Sequence, residues 1–318
     1  MDDKERNRRK NRAIMRAKRR RSITIITLIA VIVLGTGIYV YAHHNSNDTD
    51  GKTASSSTSP KKPNPSEIMK GENIIYSADS YAVPANEVDK MLQSKKPLSD
   101  KKEVFLTFDD GPSENTSSIL KTLKDEGVHA TFFVIGSHLK NDPENQKLLK
   151  EEIESGNAIG NHSFSHEYKK LYPGNSVNVK VFMNEINETD NEMKKVLGEN
   201  FNTRVLRMPG GYLSRKYYRD PHLKQLDEAF NKNGIVSIDW DAETGDAESN
   251  TYTVDHLVSR AKFYMNQEKE VILLMHDAAA KKSTVKALPQ IIKMFKDNGY
   301  EFKVIKNAPM SYFNNSNK

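Results

Sequence analysis

Short apolar runs alternate with amphipathic stretches along most of the chain beyond Lys101. The apolar runs are typical of buried strands, and they occupy residues 104–108, 130–135, 158–159, 205–206, 235–238, 271–275 and 302–305. Stretches with apolar residues at a helical period lie among them, at 116–126, 143–155, 176–197, 221–233, 253–267 and 284–298. This alternation predicts an α/β domain with a parallel sheet covered by helices. It does not distinguish an open doubly wound sheet from a closed barrel.

A long uncharged stretch lies near the start of the chain. Residues 1–21 carry eleven Lys or Arg and three acidic residues, whereas Ile23 to Ala42 are twenty residues without a charge. Such a stretch, at about 1.5 Å per residue, is long enough to cross a hydrocarbon core of about 30 Å. We therefore expect a single-pass signal-anchor helix at 22–42 in the lipid bilayer of the cell membrane. The basic segment 1–21 should stay in the cytoplasm, which places the rest outside the cell. Signal peptidase cleavage after Val40-Tyr41-Ala42 is the alternative.

The sequence between the apolar stretch and the alternating region falls into two parts. Residues 43–67 contain almost no large apolar side chain, so they are predicted to form a disordered extracellular linker. Residues 68–100 form an edge segment of uncertain role, in which Ile74–Tyr76 suggest a short strand and Val88, Met91 and Leu92 a short helix. The catalytic domain is expected at 101–310, followed by a C-terminal tail at 311–318.

The basic balance of the chain comes from its first residues. The formal net charge is +6, but residues 1–21 alone contribute +8, so the remainder is slightly acidic. The basic pI is therefore a topogenic signal, and no nucleic-acid partner is expected. No protein partner is inferred. The chain has no cysteine, and about 215 residues are enough to bury a core without disulfides.

Groups suited to metal-dependent hydrolysis follow several of the predicted strands. They lie in TFDDGPS at 107–113, HSFSH at 162–166, RMPGG at 207–211 and LLMHD at 273–277. Asp109 and Asp110 offer adjacent carboxylates, of which one can bind a cation and the other can take a proton. His162 and His166 are four residues apart, a spacing at which two imidazoles can converge on one metal ion. His276 remains as a free acid or base.

These strings, in this order, resemble those of the NodB-type polysaccharide deacetylases, and the resemblance covers roughly residues 100–310. It extends to membrane-anchored peptidoglycan N-acetylglucosamine deacetylases. The resemblance implies a deformed (β/α) barrel with the site at the carboxyl ends of its strands. It also implies that Asp110, His162 and His166 are the metal ligands. Asp109 then corresponds to the general base and His276 to the general acid.

The resemblance implies supporting roles as well. Arg207 of the Arg-x-Pro string would orient the base, Gly210 would donate its backbone N–H to the oxyanion, and Leu274 would line the pocket for the acetyl methyl group. Trp240, the only tryptophan, is expected in the core or in the wall of the substrate groove.

The loop at 237–249 departs from the family pattern. Many members carry an Asp-Trp pair there, in which the Asp supports the catalytic His and the Trp walls the acetyl pocket. Asp246 matches that Asp best, but Ala247 stands at the Trp position, so the acetyl pocket lacks the wall that the Trp forms in those members. The other candidates for the support of His276 are Asp239, Asp241 and Glu243.

One carboxylate and two imidazoles suit Zn²⁺, and Co²⁺, Ni²⁺ or Mn²⁺ could also occupy such a set. We therefore expect a deacetylase that removes N-acetyl groups from an N-acetylated glycan polymer outside the cell. An anchored enzyme reaches mainly polymer near the membrane, which favours N-acetylglucosamine of peptidoglycan. The alternatives are a deacetylase of chitin or poly-N-acetylglucosamine, an O-acetyl esterase acting on xylan or wall polymer, and an inactive glycan-binding module.

Overall fold

The structure, a computed structural model, describes residues 63–315. The predicted transmembrane helix at 22–42, the basic segment before it and most of the predicted linker lie outside the described residues. None of the helices within residues 63–315 is long and apolar enough to cross a membrane.

Within residues 63–315, nine strands form a parallel sheet. They are β1 (Ala82–Pro84), β2 (Glu103–Gly111), β3 (Thr131–Val134), β4 (Ala158–Asn161), β5 (Val205–Leu206), β6 (Val236–Ser237), β7 (Ala242–Glu243), β8 (Glu270–His276) and β9 (Glu301–Lys306). The pairing runs β7-β8-β2-β3-β4-β5-β6, while β9 pairs with the first residues of β2 and carries β1 on its other side. The predicted parallel α/β architecture is confirmed. β1 and β7 were not predicted, because the proline in β1 and the glutamate in β7 interrupt the apolar runs that mark the other strands.

The predicted helices are all present, with boundaries shifted by at most a few residues. The α-helices span Ala85–Ser94, Glu114–Asp125, Pro143–Glu154, Tyr168–Leu171, Val179–Leu197, Tyr212–Tyr217, Leu223–Asn233, Val254–Met265, Lys282–Asp297 and Met310–Asn315. Short 3₁₀ segments span Tyr76–Tyr81, Gly136–His138 and Pro173–Asn175. Local capping explains where several begin: the Ser113 side chain accepts from Asn115 N, and Thr116 Oγ1 accepts from Ser113 N. This reciprocal box satisfies backbone groups that the first helical turn leaves unpaired.

The side chains of each strand alternate between two apolar layers. On β2, Val104, Leu106 and Phe108 pack outward against the covering helices. Phe105 lies on the other face, in a cluster to which β3, β5, β6 and β8 also contribute. Because strands from both halves of the sheet meet in this cluster, the sheet is curved around it.

Residues 68–100, expected as an edge segment, supply β1 at the edge of the sheet, and one face of their helix is buried. Ala85, Val88 and Met91 of the helix Ala85–Ser94 pack into the cluster enclosed by the sheet. The strand expected at 74–76 is a single bridge between Ile75 and Ile68, followed by a 3₁₀ turn. The helix therefore completes the inner core.

Candidate active site

The two aspartates of the first string follow one another at the end of β2. Asp109 is only 3% exposed and lies on the inward face with Thr107, two residues before it. The pairing of β2 with β3 then shifts register between Asp109 and Gly111, and Asp110 has a φ of +72°. This irregularity breaks the alternation of side chains. Both carboxylates can therefore approach His162.

The two histidines of HSFSH lie in a loop rather than on a helix. His162 directly follows β4, and its Nδ1 lies 2.7 Å from Arg207 O. A proton on Nδ1 would be donated to that carbonyl, which turns the free Nε2 toward the aspartates. His166 has a φ of +54°. The Nε2 atoms of His162 and His166 lie 3.4 Å and 3.5 Å from Asp110 Oδ1.

These three residues form a site that fits a divalent cation. Their ligand atoms all lie within 4.8 Å of one another, and the buried Asp110 Oδ1 has no hydrogen-bond partner in the described part of the chain. Burial by itself would raise the pKa of Asp110, but the nearby His162 and His166 lower it overall. A carboxylate that stays charged beside two imidazole nitrogens is the donor set expected for zinc and related ions.

A buried arginine holds Asp109. Arg207 is fully buried, and its Nη1 donates to Asp109 Oδ1 at 2.9 Å and to Thr107 Oγ1 at 2.7 Å. Its other nitrogens donate to the backbone carbonyls of Ile238 and Asp239. A charge-assisted hydrogen bond therefore fixes one carboxylate oxygen of Asp109. The second oxygen, Oδ2, lies 3.8 Å from His162 Nε2.

Asp246 holds the histidine at the end of β8. Asp246 Oδ1 lies 2.8 Å from His276 Nδ1, while Oδ2 accepts from His276 N at 2.8 Å and from Thr284 Oγ1 at 2.7 Å. Burial would lower the pKa of His276, but the hydrogen bond and charge of Asp246 outweigh it and raise the pKa to about 9. His276 is therefore protonated at neutral pH in this structure. It is the register partner of Asp109 across β8 and β2.

The other acidic residues of the loop have different partners. Asp239 accepts from the backbone N–H groups of Tyr212 and Leu213, and Asp241 accepts from Ile272 N at 2.8 Å. Glu243 pairs with Arg260. Of the four candidates for the support of His276, the structure brings Asp246 to it.

The remaining candidates border the same space. Leu274 is the register partner of Thr107 and lies two residues before His276 on the inward face of β8. The Trp240 ring lies close to Gly211, where a Cβ atom would be 3.1 Å from it. Gly210 has a φ of +76°, and a Cβ atom there would lie 1.9 Å from Tyr168 Oη.

Four contributors were not predicted. Thr107 could have been found, because it lies two residues before Asp109 and so shares its face of the strand. Thr284 gives no such signal, since it reaches Asp246 from a helix 38 residues away. Tyr168 and Tyr172 follow HSFSH at the first position and just beyond the end of a helix of four residues, which is too short for a periodic pattern.

Known proteins share this fold and sequence pattern. A family model described as polysaccharide deacetylase matches residues 96–227. A Bacillus cereus relative named peptidoglycan-N-acetylglucosamine deacetylase is 30% identical over 240 residues, which cover 74% of this chain and 80% of the relative.

Solved structures agree with the sequence comparisons. A Streptococcus mutans CE4 esterase has a TM-score of 0.69 at 37% identity, covering 76% of this chain and 100% of that chain. The catalytic domain of a peptidoglycan N-acetylglucosamine deacetylase from Eubacterium rectale has a TM-score of 0.56 at 29% identity, covering 66% and 90%. These similarities confirm a hydrolase that deacetylates glycans. The chain belongs to the polysaccharide deacetylase family.

Proposed function

We propose that this chain is a divalent-metal-dependent deacetylase that removes the N-acetyl group from N-acetylglucosamine of peptidoglycan. The main support for the proposal is that two side chains, each fixed by a partner of opposite charge, lie beside the cluster of Asp110, His162 and His166. Asp109, fixed by Arg207, and His276, fixed by Asp246, are register partners on adjacent strands. Hydrolysis of an amide needs a base for water and an acid for the departing amine.

The residues divide the chemistry between them. Asp110, His162 and His166 would hold the cation, and a bound cation lowers the pKa of water and polarises a carbonyl. Asp109 takes a proton from the attacking water through the oxygen that Arg207 leaves free. His276 gives its proton to the sugar nitrogen, since its raised pKa keeps it protonated at neutral pH. Zinc is the proposed ion because the donor set is one oxygen and two nitrogens.

The substrate and location rest on the sequence and the relatives. The Bacillus cereus relative is named for peptidoglycan N-acetylglucosamine, and we extend that substrate to this chain. We propose that residues 22–42 anchor the enzyme in the membrane, with the catalytic domain outside. We take the curved sheet to be the deformed (β/α) barrel that the motifs imply.

An O-acetyl esterase is the second candidate, because the Streptococcus mutans neighbour is described as a CE4 esterase. The held His276 favours amides over esters, since an amine is a poor leaving group without a proton whereas many alcohols need less help. We therefore place the N-acetyl activity first.

The test combines metal content with product release. The full chain, purified in mild detergent and loaded with zinc, should release acetate from purified peptidoglycan and leave free amino groups on its sugars. His162→Ala and His166→Ala should each lose both bound metal and acetate release, while His222→Ala, outside the cluster, should keep both. A wild-type chain that binds no divalent ion, or that binds zinc and releases no acetate from wall, chitin or acetylated xylan, would refute the proposal.

A further inference from the structure

Tyr168 lies beside His166 and beside Gly210. Its ring meets the His166 ring edge-on, with centroids 5.9 Å apart. Its hydroxyl lies next to Gly210, where a Cβ atom would be 1.9 Å from Tyr168 Oη. His166 belongs to the candidate metal cluster and Gly210 carries the expected oxyanion donor. The phenol therefore borders the space in which an acetyl oxygen has to lie between them.

A neighbouring tyrosine holds this arrangement. Tyr172 packs edge-on against Tyr168 with centroids 5.4 Å apart, and its hydroxyl donates to Pro209 O at 3.1 Å. The guanidinium of Arg215 lies 4.7 Å above the Tyr172 ring. These contacts fasten the helix that carries Tyr168 to the loop that carries Gly210. Tyr168 itself remains 47% exposed, so a substrate can reach it.

The position of the Tyr168 hydroxyl requires glycine at position 210. Gly210 has a φ of +76°, a conformation that residues with a Cβ atom rarely adopt. Any side chain there would also collide with the phenol, as the 1.9 Å separation shows. The missing side chain at 210 thus opens the space that the Tyr168 hydroxyl fills.

We propose that the Tyr168 hydroxyl donates a hydrogen bond to the acetyl oxygen as negative charge develops on it, beside the Gly210 N–H. This inference rests on the proposed deacetylase function and adds a donor to it. A hydrogen bond to a charged oxygen is stronger than one to a neutral carbonyl. The contribution therefore appears mainly in kcat, because the interaction strengthens in the transition state.

The direct test is Tyr168→Phe in the zinc-loaded full chain, because this change removes the hydroxyl and keeps the ring. The kcat for deacetylation of an N-acetylglucosamine oligomer should fall by about 10- to 100-fold, the range for loss of a hydrogen bond to a charged group. KM should stay within about two-fold, since the ground-state carbonyl carries little charge. The matched control is Tyr217→Phe: Tyr217 is 81% exposed and should tolerate the same change without effect.

A binding measurement makes the result independent of turnover. Acetohydroxamate carries the acetyl methyl group and an anionic oxygen, and its affinity for the zinc-loaded chain can be measured by calorimetry. Tyr168→Phe should weaken it about ten-fold, as expected for one lost charge-assisted hydrogen bond, while zinc content and Tyr217→Phe stay at wild-type values.

The outcomes separate the two proposals. If the wild type is active and Tyr168→Phe changes neither kcat nor hydroxamate affinity, the donor role of Tyr168 is overturned; a raised KM in Tyr168→Ala alone would show that the ring is only a wall. If the wild type binds zinc but deacetylates nothing, the proposed function fails, and the hydroxamate affinity still decides whether the Tyr168 hydroxyl is a donor at this site.

Discussion

Replacing Asp246 by asparagine should move the alkaline limb of the pH–rate profile. Asp246 Oδ2 accepts from two donors, His276 N and Thr284 Oγ1, so the asparagine oxygen should take that position. Its NH₂ group then faces His276 Nδ1, which can receive the hydrogen bond only when it is unprotonated. Asp246→Asn therefore removes the negative charge that raises the pKa of His276, and its NH₂ group stabilises the neutral imidazole by a hydrogen bond.

The magnitude follows from the pKa of His276, which Asp246 holds at about 9. Protonated His276 is the active acid, so activity is present below this pKa and is lost as the pH rises through it. Without the Asp246 carboxylate, burial lowers the pKa of His276 against the smaller raising effects of Asp109 and Asp110, and we expect a pKa near the ordinary value of about 6.5. At pH 7.5 the protonated fraction then falls from about 97% to about 9%, a loss of at least about ten-fold in kcat.

The assay is the initial rate of acetate release from an N-acetylglucosamine oligomer, followed from pH 5.5 to 10 at saturating zinc. A bound cation would itself lower the pKa of His276 by charge repulsion. The displacement between the variant and the wild type is therefore the quantity to compare, rather than the position of either limb. We expect a displacement of about 2.5 pH units toward acid, with the zinc content unchanged.

Asp241→Asn is the matched control. Asp241 is another carboxylate of the same loop, but it accepts from Ile272 N, and an asparagine oxygen can still do so. Its alkaline limb should coincide with that of the wild type. A limb that moves in Asp241→Asn and stays in Asp246→Asn would show that the contact between Asp246 and His276 does not control the acid.

Further variants test the other assignments. Asp109→Asn should keep its zinc and lose kcat by about 10²–10⁴-fold, as expected for a general base, whereas Asp110→Asn should bind zinc more weakly; equal metal loss in both, by elemental analysis, would contradict the division. His276→Ala should keep zinc and slow deacetylation of an amide far more than hydrolysis of 4-nitrophenyl acetate, and equal losses would argue against an acid role. Met91→Ala, on the buried face of the helix of residues 85–94, should lower the free energy of unfolding in urea by about 2–5 kcal/mol. Exposed Lys90→Ala should stay within about 0.5 kcal/mol, and similar values for the two would contradict the buried position of Met91.

The strand-end residues could be predicted from sequence because two local rules act together. Apolar runs mark the strands, and in a parallel sheet all carboxyl ends lie at the same edge. Asp109, His162, Arg207 and His276 each follow such a run closely. These side chains are therefore expected to lie close together whatever path the loops take. The register of Asp109 with His276 across β2 and β8 agrees with this expectation.

The support of His276 could not be fixed in the same way. The loop at 237–249 offers several carboxylates within a few residues, and composition does not distinguish them. In the folded chain, each carboxylate accepts hydrogen bonds from different backbone N–H groups. Asp239 accepts from two N–H groups at the start of a helix, and Asp241 accepts from one N–H group on β8. Asp246 alone among them reaches His276. These donors come from segments 26 to 31 residues away, beyond the range of any local pattern.

The segment at 68–100 shows a different limit. Its helix, Ala85–Ser94, has a recognisable apolar face, yet sequence does not reveal what that face meets. The inner side of the curved sheet needs a cover, and Ala85, Val88 and Met91 supply it. An amphipathic pattern predicts that a face is buried; only the closure of the sheet determines where.

The charges of the site explain why a cation belongs at one place in it. Removing a charge from water is costly unless an opposite charge accompanies it. The positive charge of buried Arg207 is balanced by the carboxylate of Asp109, and that of protonated His276 by the carboxylate of Asp246. Asp110 lies beside the nitrogens of His162 and His166, and its buried Oδ1 accepts no hydrogen bond from the residues that the structure describes. The uncompensated negative charge therefore lies where the candidate ligands converge. Since Asp109 already has its counter-ion, a cation held by Asp110 leaves Asp109 able to act as a base.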